Sequence, residues 1–263
     1  MPEGDTIWKL AQRLAATLVG RPVLRFDAPR LTGPRPRPGA TIVAVEAVGK
    51  YLVVRFGDGV LLETHLRMTG SWHLYEAGRP WRRARHRARV VIAVDGWEAV
   101  CFDAAVVRTL RGGTAVPRPS LGLGPDLAAP DVDLAAVLVR LRGADRSAPL
   151  VDVLLDQRIA AGVGNVYKSE LLWIHRLPPL GALGSFDEAV LATLYRSAHE
   201  LLRYNIARRG ARVTVPSLPG GIAVYRRARR PCPRCGSAIR RAELGRWARP
   251  TYWCGRCQPE PAR

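Results

Sequence analysis

The sequence predicts an α+β protein of two domains. Three observations carry that reading. One amphipathic helix opens the chain, short β-branched runs separated by tight turns follow up to about residue 110, and beyond a Gly/Pro-rich stretch lies a helical region that ends in four cysteines. At 263 residues there is ample chain for two hydrophobic cores.

The first helix is expected over residues 5–19. Ile7, Leu10, Leu14 and Leu18 recur at helical spacing, Asp5 suits an N-cap, and Gly20 with Pro22 stops the pattern. From residue 23 the texture changes. TIVAVEAV, YLVVRF, VLLETHL, ARVVIAV and AVCF alternate with turn signals such as FGDG and VDGW, the pattern of an antiparallel sandwich or barrel. RLTGPRPRPGA interrupts it as a basic, Pro-rich loop. RGGTAVPRPSLGLGPDLAAP is rich in Gly and Pro and reads as an interdomain linker, placed at 113–130. Helices are expected at about 131–142, 149–157, 165–175 and 187–208. The divisions are then 1–112, a linker, a helical part over 131–224 and a cysteine-bearing end over 225–263.

The charge excludes an indifferent surface. Forty-one Lys and Arg face 22 Asp and Glu, a net charge of +19. A genome rich in G and C would swap Lys for Arg but would not remove acids, so the excess calls for a polyanion, nucleic acid or an anionic membrane. No run of apolar residues is long enough to span a bilayer, and the start lacks a signal-peptide pattern, so the expectation is a cytoplasmic protein without a membrane partner. Lysine occurs only at Lys9, Lys50 and Lys168. Arginine almost never gives up its proton, so a surviving lysine hints at chemistry of its own.

The end of the chain reads CPRCGSAIRRAELGRWARPTYWCGRC. Cys232 with Cys235 and Cys254 with Cys257 form two C-x2-C pairs, eighteen residues apart. Two such pairs complete the tetrahedron of one structural zinc, as in a zinc ribbon. Two disulfides are the alternative, disfavoured in a reducing compartment. Four sulfurs leave no open position for water, so such a metal does no chemistry. Cys101, in an apolar run, reads as a buried core thiol.

LLDQRIAAGVGNVYKSELLWIHRLPP holds two helical stretches around AGVGN. Glycines 162 and 164 let backbone approach a ligand, and a helix start beside Asn165 suits a phosphate. A plain helical hairpin explains the same residues. The N-terminus, MPEGDT, poses a similar choice. Removal of Met1 leaves the secondary amine of Pro2 beside Glu3, which is either an accident of the first codons or a nucleophile with its own acid.

Taken together, MPEG, VGKY around Lys50, HLRMTG at 65–70, GVGNVYKSE at 162–170 and the terminal cysteine pairs resemble the Fpg/Nei family of bacterial DNA glycosylases, in family order and over nearly the whole length. The resemblance implies a β-sandwich N-terminal domain, a helix–two-turn–helix domain and a zinc ribbon with one structural zinc per chain. It implies excision of oxidised bases followed by strand cleavage, on damaged duplex DNA, with single-stranded or bubble DNA as the alternative partner, by a monomer associated with the nucleoid. Pro2 matches the family nucleophile that forms an imine at C1′, and Glu3 the general acid and base. Lys50 matches the β-hairpin lysine that holds a phosphate at the lesion; a solvated strand-end charge is the alternative. Asn165 matches the phosphate-binding asparagine, and Arg249 the ribbon arginine that grips phosphates and accompanies the second elimination. Met68 stands where the family inserts a side chain into the gap left by the flipped base, with Arg67 beside it toward the opposite strand; strand core packing is the alternative for Met68. His86, within RRARHRARV, is a further phosphate contact.

The chain also departs from the pattern. PEGDT and RPTYWC point to the Nei branch and hence to oxidised pyrimidines, and Thr6 replaces a usual Glu. The Fpg branch's Arg–Phe pair is missing from FDAAVVRTLRGG, though Arg108 and Arg111 are near, whereas Met68 is Fpg-like. Oxidised-purine specificity, or a DNA-binding member without chemistry, are the competing readings; a zinc-ribbon factor of transcription or translation leaves the first residues unexplained. GGIAVYRRARR at 220–230 is expected to supply the variable lesion-facing loop.

Overall fold

The computed structural model describes residues 2–112 and 122–259. The chain divides into two compact units, one ending at Leu121 and one beginning at Gly122.

The first unit is a helix on a β-sandwich. Helix α1 (Gly4–Leu18) buries Ile7, Ala11, Leu14 and Leu18, the stripe expected from the 3.6-residue period. Two four-stranded antiparallel sheets follow. One has the order β2 (Ile42–Val48), β3 (Tyr51–Phe56), β4 (Val60–His65), β8 (Val106–Arg111). The other runs β1 (Arg25–Asp27), β6 (Ala88–Val94), β7 (Trp97–Phe102), β5 (Ser71–Glu76). The sequence left sandwich or barrel open; the two separate sheets make it a sandwich. Alternate residues such as Leu52, Val54 and Phe56 of β3 face Ile92 and Val94 of β6 and the apolar stripe of α1 in one core. Each large side chain so buried contributes roughly 1.5–3 kcal/mol before entropy is charged. Cys101 is fully buried there, and burial pushes its thiol pKa up, so it stays protonated and inert.

The second unit holds α2 (Leu134–Arg142), α3 (Leu150–Val153), α4 (Asn165–Ile174), α5 (Glu188–Ala207) and a hairpin of β9 (Arg240–Leu244) with β10 (Arg249–Trp253). Helix α2 starts three residues later than expected because Asp133 caps it, accepting from the amide of Ala136 at 2.9 Å. The helix expected at 149–157 is α-helical for four residues only, and turns follow.

The predicted linker needs correction. Residues 113–121 lie outside the described residues. Residues 122–130 do not link: Leu127 and Ala128 are fully buried, and the amide of Leu127 donates to the carbonyl of Ala161 at 3.0 Å. Asp126, whose carboxylate accepts from the amide of Ala128 at 2.9 Å, turns the Gly/Pro-rich chain back into the core. Helices and cysteine-bearing end also form one unit, not two.

Helix α4 organises this unit. Every residue from Asn165 to Trp173 is buried, including Lys168, Ser169 and Glu170. Polar side chains are buried at this depth only when paired, so each must have its partners in the surrounding segments.

Candidate active site and metal centre

In the first unit, Pro2 is half-buried just ahead of α1, and Glu3 is fully buried as the N-cap residue. Glu3 has extended backbone, and its carbonyl accepts from the amides of Thr6 at 2.9 Å and Ile7 at 3.1 Å. Asp5 is therefore not the N-cap that the sequence suggested. The helix begins one residue earlier, at Gly4, and the Asp5 carboxylate accepts from the amide of Thr6 at 2.7 Å within the first turn. The positive end of the α1 dipole thus lies at Pro2 and Glu3, where it favours an unprotonated amine at Pro2.

Lys50 occupies the β2–β3 hairpin turn. Val48 pairs with Tyr51, leaving Gly49 and Lys50 as a two-residue loop. Gly49 has φ 59°, the left-handed value that the first position of such a turn needs and that glycine supplies without strain. Lys50 is half-buried.

Arg67 and Met68 project from the turn joining β4 to β5, and both are exposed, Met68 at 55%. Met68 is thus not strand core packing. The amide of Arg67 donates to Nδ1 of His65 at 3.2 Å, and Gly70 closes the turn so tightly that a Cβ would meet the carbonyl oxygen of Leu66 at 2.6 Å. His86 is exposed in the short turn Arg85–Arg87. Around it, Asp103 binds Arg83 at 2.9 Å and Arg87 at 2.7 Å, and the Arg85 guanidinium stacks over the Trp81 ring at 4.8 Å.

His65 was not singled out by the sequence. Its pKa is lowered to about 4 by burial first, then by the charges of Lys50 and Arg67. It is therefore a neutral imidazole between two cations. Its place in HLRMTG, two residues before Arg67, was the available signal.

In the second unit, Asn165 opens α4, with Gly164 as the N-cap residue, and is buried. Its Nδ2 donates to the carbonyl of Pro250 at 2.6 Å, and its Oδ1 accepts from Lys168 at 2.7 Å. Arg249 is the exposed first residue of β10, directly before Pro250. The structure thus brings Asn165 together with the strand that carries Arg249.

Glu170 also escaped sequence reasoning, though it ends GVGNVYKSE. Its carboxylate accepts from the amides of Ala223 (2.8 Å), Val224 (2.8 Å) and Tyr225 (2.7 Å) and from the hydroxyl of Thr214 (2.6 Å). At the near end of the same segment, Asn205 exchanges two hydrogen bonds with the backbone of Val213. The stretch from Val213 to Tyr225, which takes in only the first part of the 220–230 loop expected to vary, is therefore anchored at both ends by buried polar groups.

The four cysteines converge. Their Sγ atoms lie within 4.8 Å of one another, with Cys235–Cys254 at 3.4 Å and Cys232–Cys257 at 4.0 Å. A disulfide needs about 2.05 Å, whereas sulfurs tetrahedral around zinc sit about 3.8 Å apart. All four are free thiols. The set therefore fits one tetrahedral, thiolate-bound metal. Its surroundings hold it rigidly: Trp173 Nε1 donates to Cys232 Sγ at 3.3 Å, Arg234 stacks on Trp173 at 4.0 Å and donates to the carbonyls of Trp173 and Ile174 at the end of α4. Gln258 bridges the amide of Cys254 and the carbonyl of Leu177, both at 2.9 Å. At its other end, the hairpin turn docks through the amide of Arg246 on the carboxylate of Asp152 at 3.0 Å.

Among the described residues, no helix is long and apolar enough to cross a membrane. Residues 1–108 match the model of the formamidopyrimidine-DNA glycosylase N-terminal domain, and residues 123–217 that of the formamidopyrimidine-DNA glycosylase H2TH domain. The chain is 41% identical to a probable endonuclease 8 2 of Streptomyces coelicolor, covering 100% of this chain and 95% of that protein. It is 34% identical to the DNA-(apurinic or apyrimidinic site) lyase Nei2 of Mycolicibacterium smegmatis, covering 98% and 99%. Its fold matches Lactococcus lactis Fpg solved with abasic-site DNA, with TM-score 0.80 and 23% identity, over 98% of this chain and 100% of that one.

Proposed function

The chain belongs to the Fpg/Nei family of DNA glycosylases, and from that membership we propose how its own residues carry out bifunctional glycosylase and AP-lyase chemistry in base-excision repair. The single observation that carries the proposal is the N-terminus: Pro2 lies at the head of α1 with the fully buried Glu3 beside it.

With Met1 removed, the Pro2 nitrogen attacks C1′ of the damaged nucleotide. The glycosidic bond breaks and the base leaves with its electron pair, while Glu3 delivers a proton to the sugar ring oxygen and the ring opens. A secondary amine yields an iminium cation, which acidifies the C2′ proton. Loss of that proton expels the 3′ phosphate, and a second elimination expels the 5′ phosphate. Hydrolysis of the iminium returns Pro2. Lys50, held by its tight turn, grips a phosphate at the lesion, and neutral His65 beside it adds a hydrogen-bonding group without competing charge. Asn165 and Arg249 bind phosphates from the second unit. Arg249 acts as a charge clamp on the departing phosphate, since a guanidinium is a poor proton donor. Exposed Met68 is the wedge that fills the gap of the extruded base, with Arg67 toward the other strand. His86 is a further phosphate contact from its basic turn.

Cys232, Cys235, Cys254 and Cys257 would hold one structural zinc, which would anchor the hairpin that carries Arg249 and do no chemistry of its own. The enzyme acts as a monomer on damaged duplex DNA, with single-stranded or bubble DNA as competing substrates, within the cytoplasm and its nucleoid. The substrates are oxidised pyrimidines, the class implied by the Nei-branch resemblance of PEGDT and RPTYWC.

Borohydride reduction tests the core of this reading. The protein with Pro2 exposed must become covalently joined to abasic-site DNA, and a panel of oxidised-base duplexes must show pyrimidine lesions cut faster than purine ones. Absence of any adduct leaves a DNA-binding fold without the chemistry.

A further inference from the structure

The mechanism above gives no task to Lys168, one of three lysines in the chain and fully buried in the second turn of α4. A buried ammonium is costly unless its protons are hydrogen-bonded. Lys168 Nζ donates to Asn165 Oδ1 and to Thr251 Oγ1, both at 2.7 Å. Those two acceptors lie on different elements, the start of α4 and strand β10 of the cysteine hairpin.

The Asn165 amide is thereby fixed from both ends. Its oxygen faces an ammonium, which can only donate; its nitrogen faces the carbonyl of Pro250, which can only accept, at 2.6 Å. The reversed amide would set NH2 against NH3+ and oxygen against oxygen, so a flip is forbidden. One Nδ2 hydrogen serves Pro250, and the second is the donor that the phosphate role of Asn165 would use. Without the ammonium, half of that lock disappears.

We propose that Lys168 is a positioning residue that orients the Asn165 amide for phosphate and couples that orientation to the cysteine hairpin through Thr251. The proposal rests on the reading of Asn165 as a phosphate ligand. Folding of the hairpin then does two things at once: it presents Arg249, and it supplies both the Pro250 carbonyl and the Thr251 hydroxyl that hold the amide.

A double-mutant cycle tests this in the zinc-loaded full chain. The readout is affinity for a duplex carrying a tetrahydrofuran abasic analogue, with metal content measured alongside. Asn165→Ala and Lys168→Met should each weaken binding by about tenfold, the cost of a hydrogen bond involving a charged group. The double variant should bind no more weakly than Asn165→Ala alone, with metal retained. Losses that multiply, or wild-type affinity in Lys168→Met while Asn165→Ala is weakened, overturn the proposal and leave the Asn165 reading intact. Wild-type affinity in Asn165→Ala overturns the phosphate role of Asn165, and this proposal with it. Should Lys168→Met fail to fold, Thr251→Val takes its place in the cycle: a loss of about threefold that vanishes in the Asn165→Ala background supports the coupling, and an independent loss refutes it.

Discussion

Tyr51 and His65 face each other across the β3–β4 ladder, their rings 4.8 Å apart and edge-to-face at 68°. The contact holds the imidazole beside the Lys50 turn, where burial and the cations of Lys50 and Arg67 lower its pKa from 6.5 to about 4. Between those values the unfolded chain binds the proton and the folded one does not. The stability this group contributes is full above pH 6.5 and is lost as pH falls toward 4. In a pH titration followed by NMR, His65 should titrate near 4 in the free protein and move upward when a DNA phosphate joins Lys50. A His65→Gln variant should lose part of the fall in melting temperature between pH 6.5 and 4. Titration of His65 near 6.5 would mean that the imidazole is neither buried nor flanked by these two cations.

The N-terminal pair separates chemistry from binding. Pro2→Gly should lose most adduct formation and lyase rate while its affinity for a tetrahydrofuran duplex stays within about twofold, because the ring nitrogen is a reactant and not an anchor. Glu3→Gln should slow base removal by about 100-fold or more and spare cleavage of a preformed abasic site to a greater degree. Equal loss of binding in both variants counts against these roles.

Removal of metal should be visible inside the protein. Trp173 donates to Cys232 and lies under Arg234, so a chelator that strips the metal should shift Trp173 fluorescence as DNA affinity collapses. Cys232→Ser should behave in the same way. A Cys232→Ser protein with one metal per chain and native affinity would mean that the thiolate set is misassigned.

Glu170→Gln should destabilise the protein by about 2–4 kcal/mol, since an amide NH2 would be turned on backbone donors that now meet a carboxylate. The first consequence should be faster proteolysis between residues 214 and 225, ahead of any global unfolding.

Met68→Ala should leave the melting point nearly unchanged, within about 0.5 kcal/mol, because the side chain is 55% exposed on its turn. Base removal from duplex should slow, and cleavage of single-stranded abasic DNA should not. A large drop in stability would return Met68 to a packing role.

What could be read from the sequence was what local rules govern. The C-x2-C spacing located all four cysteines, and periodicity located α1, α4 and α5 within a residue or two. Asp5 misled because a carboxylate one residue inside a helix obeys the same composition preference as an N-cap, and only backbone angles separate Glu3 from it. The Gly/Pro signal at 122–130 misled because turns inside a core use the same residues as linkers. His65 and Glu170 escaped for a different reason, and Lys168 stood out only as one of three scarce lysines, with no role attached. Their roles come from partners remote in sequence, as with Lys168 and Thr251, 83 residues apart, or Glu170 and Ala223, 53 apart.

Between its two buried anchors, the segment after α5 is also cinched by itself. The amides of Thr214 and Val215 donate to the carbonyl of Gly221 at 2.7 and 3.0 Å, so residues 216–220 form a closed loop with a fixed neck. A neck of that kind is a natural splice point. Loops of other lengths and sequences, grafted between Val215 and Gly221, should inherit the same entry and exit, and assay of such grafts on a lesion panel would show whether this loop sets damage preference without rebuilding the β-sandwich.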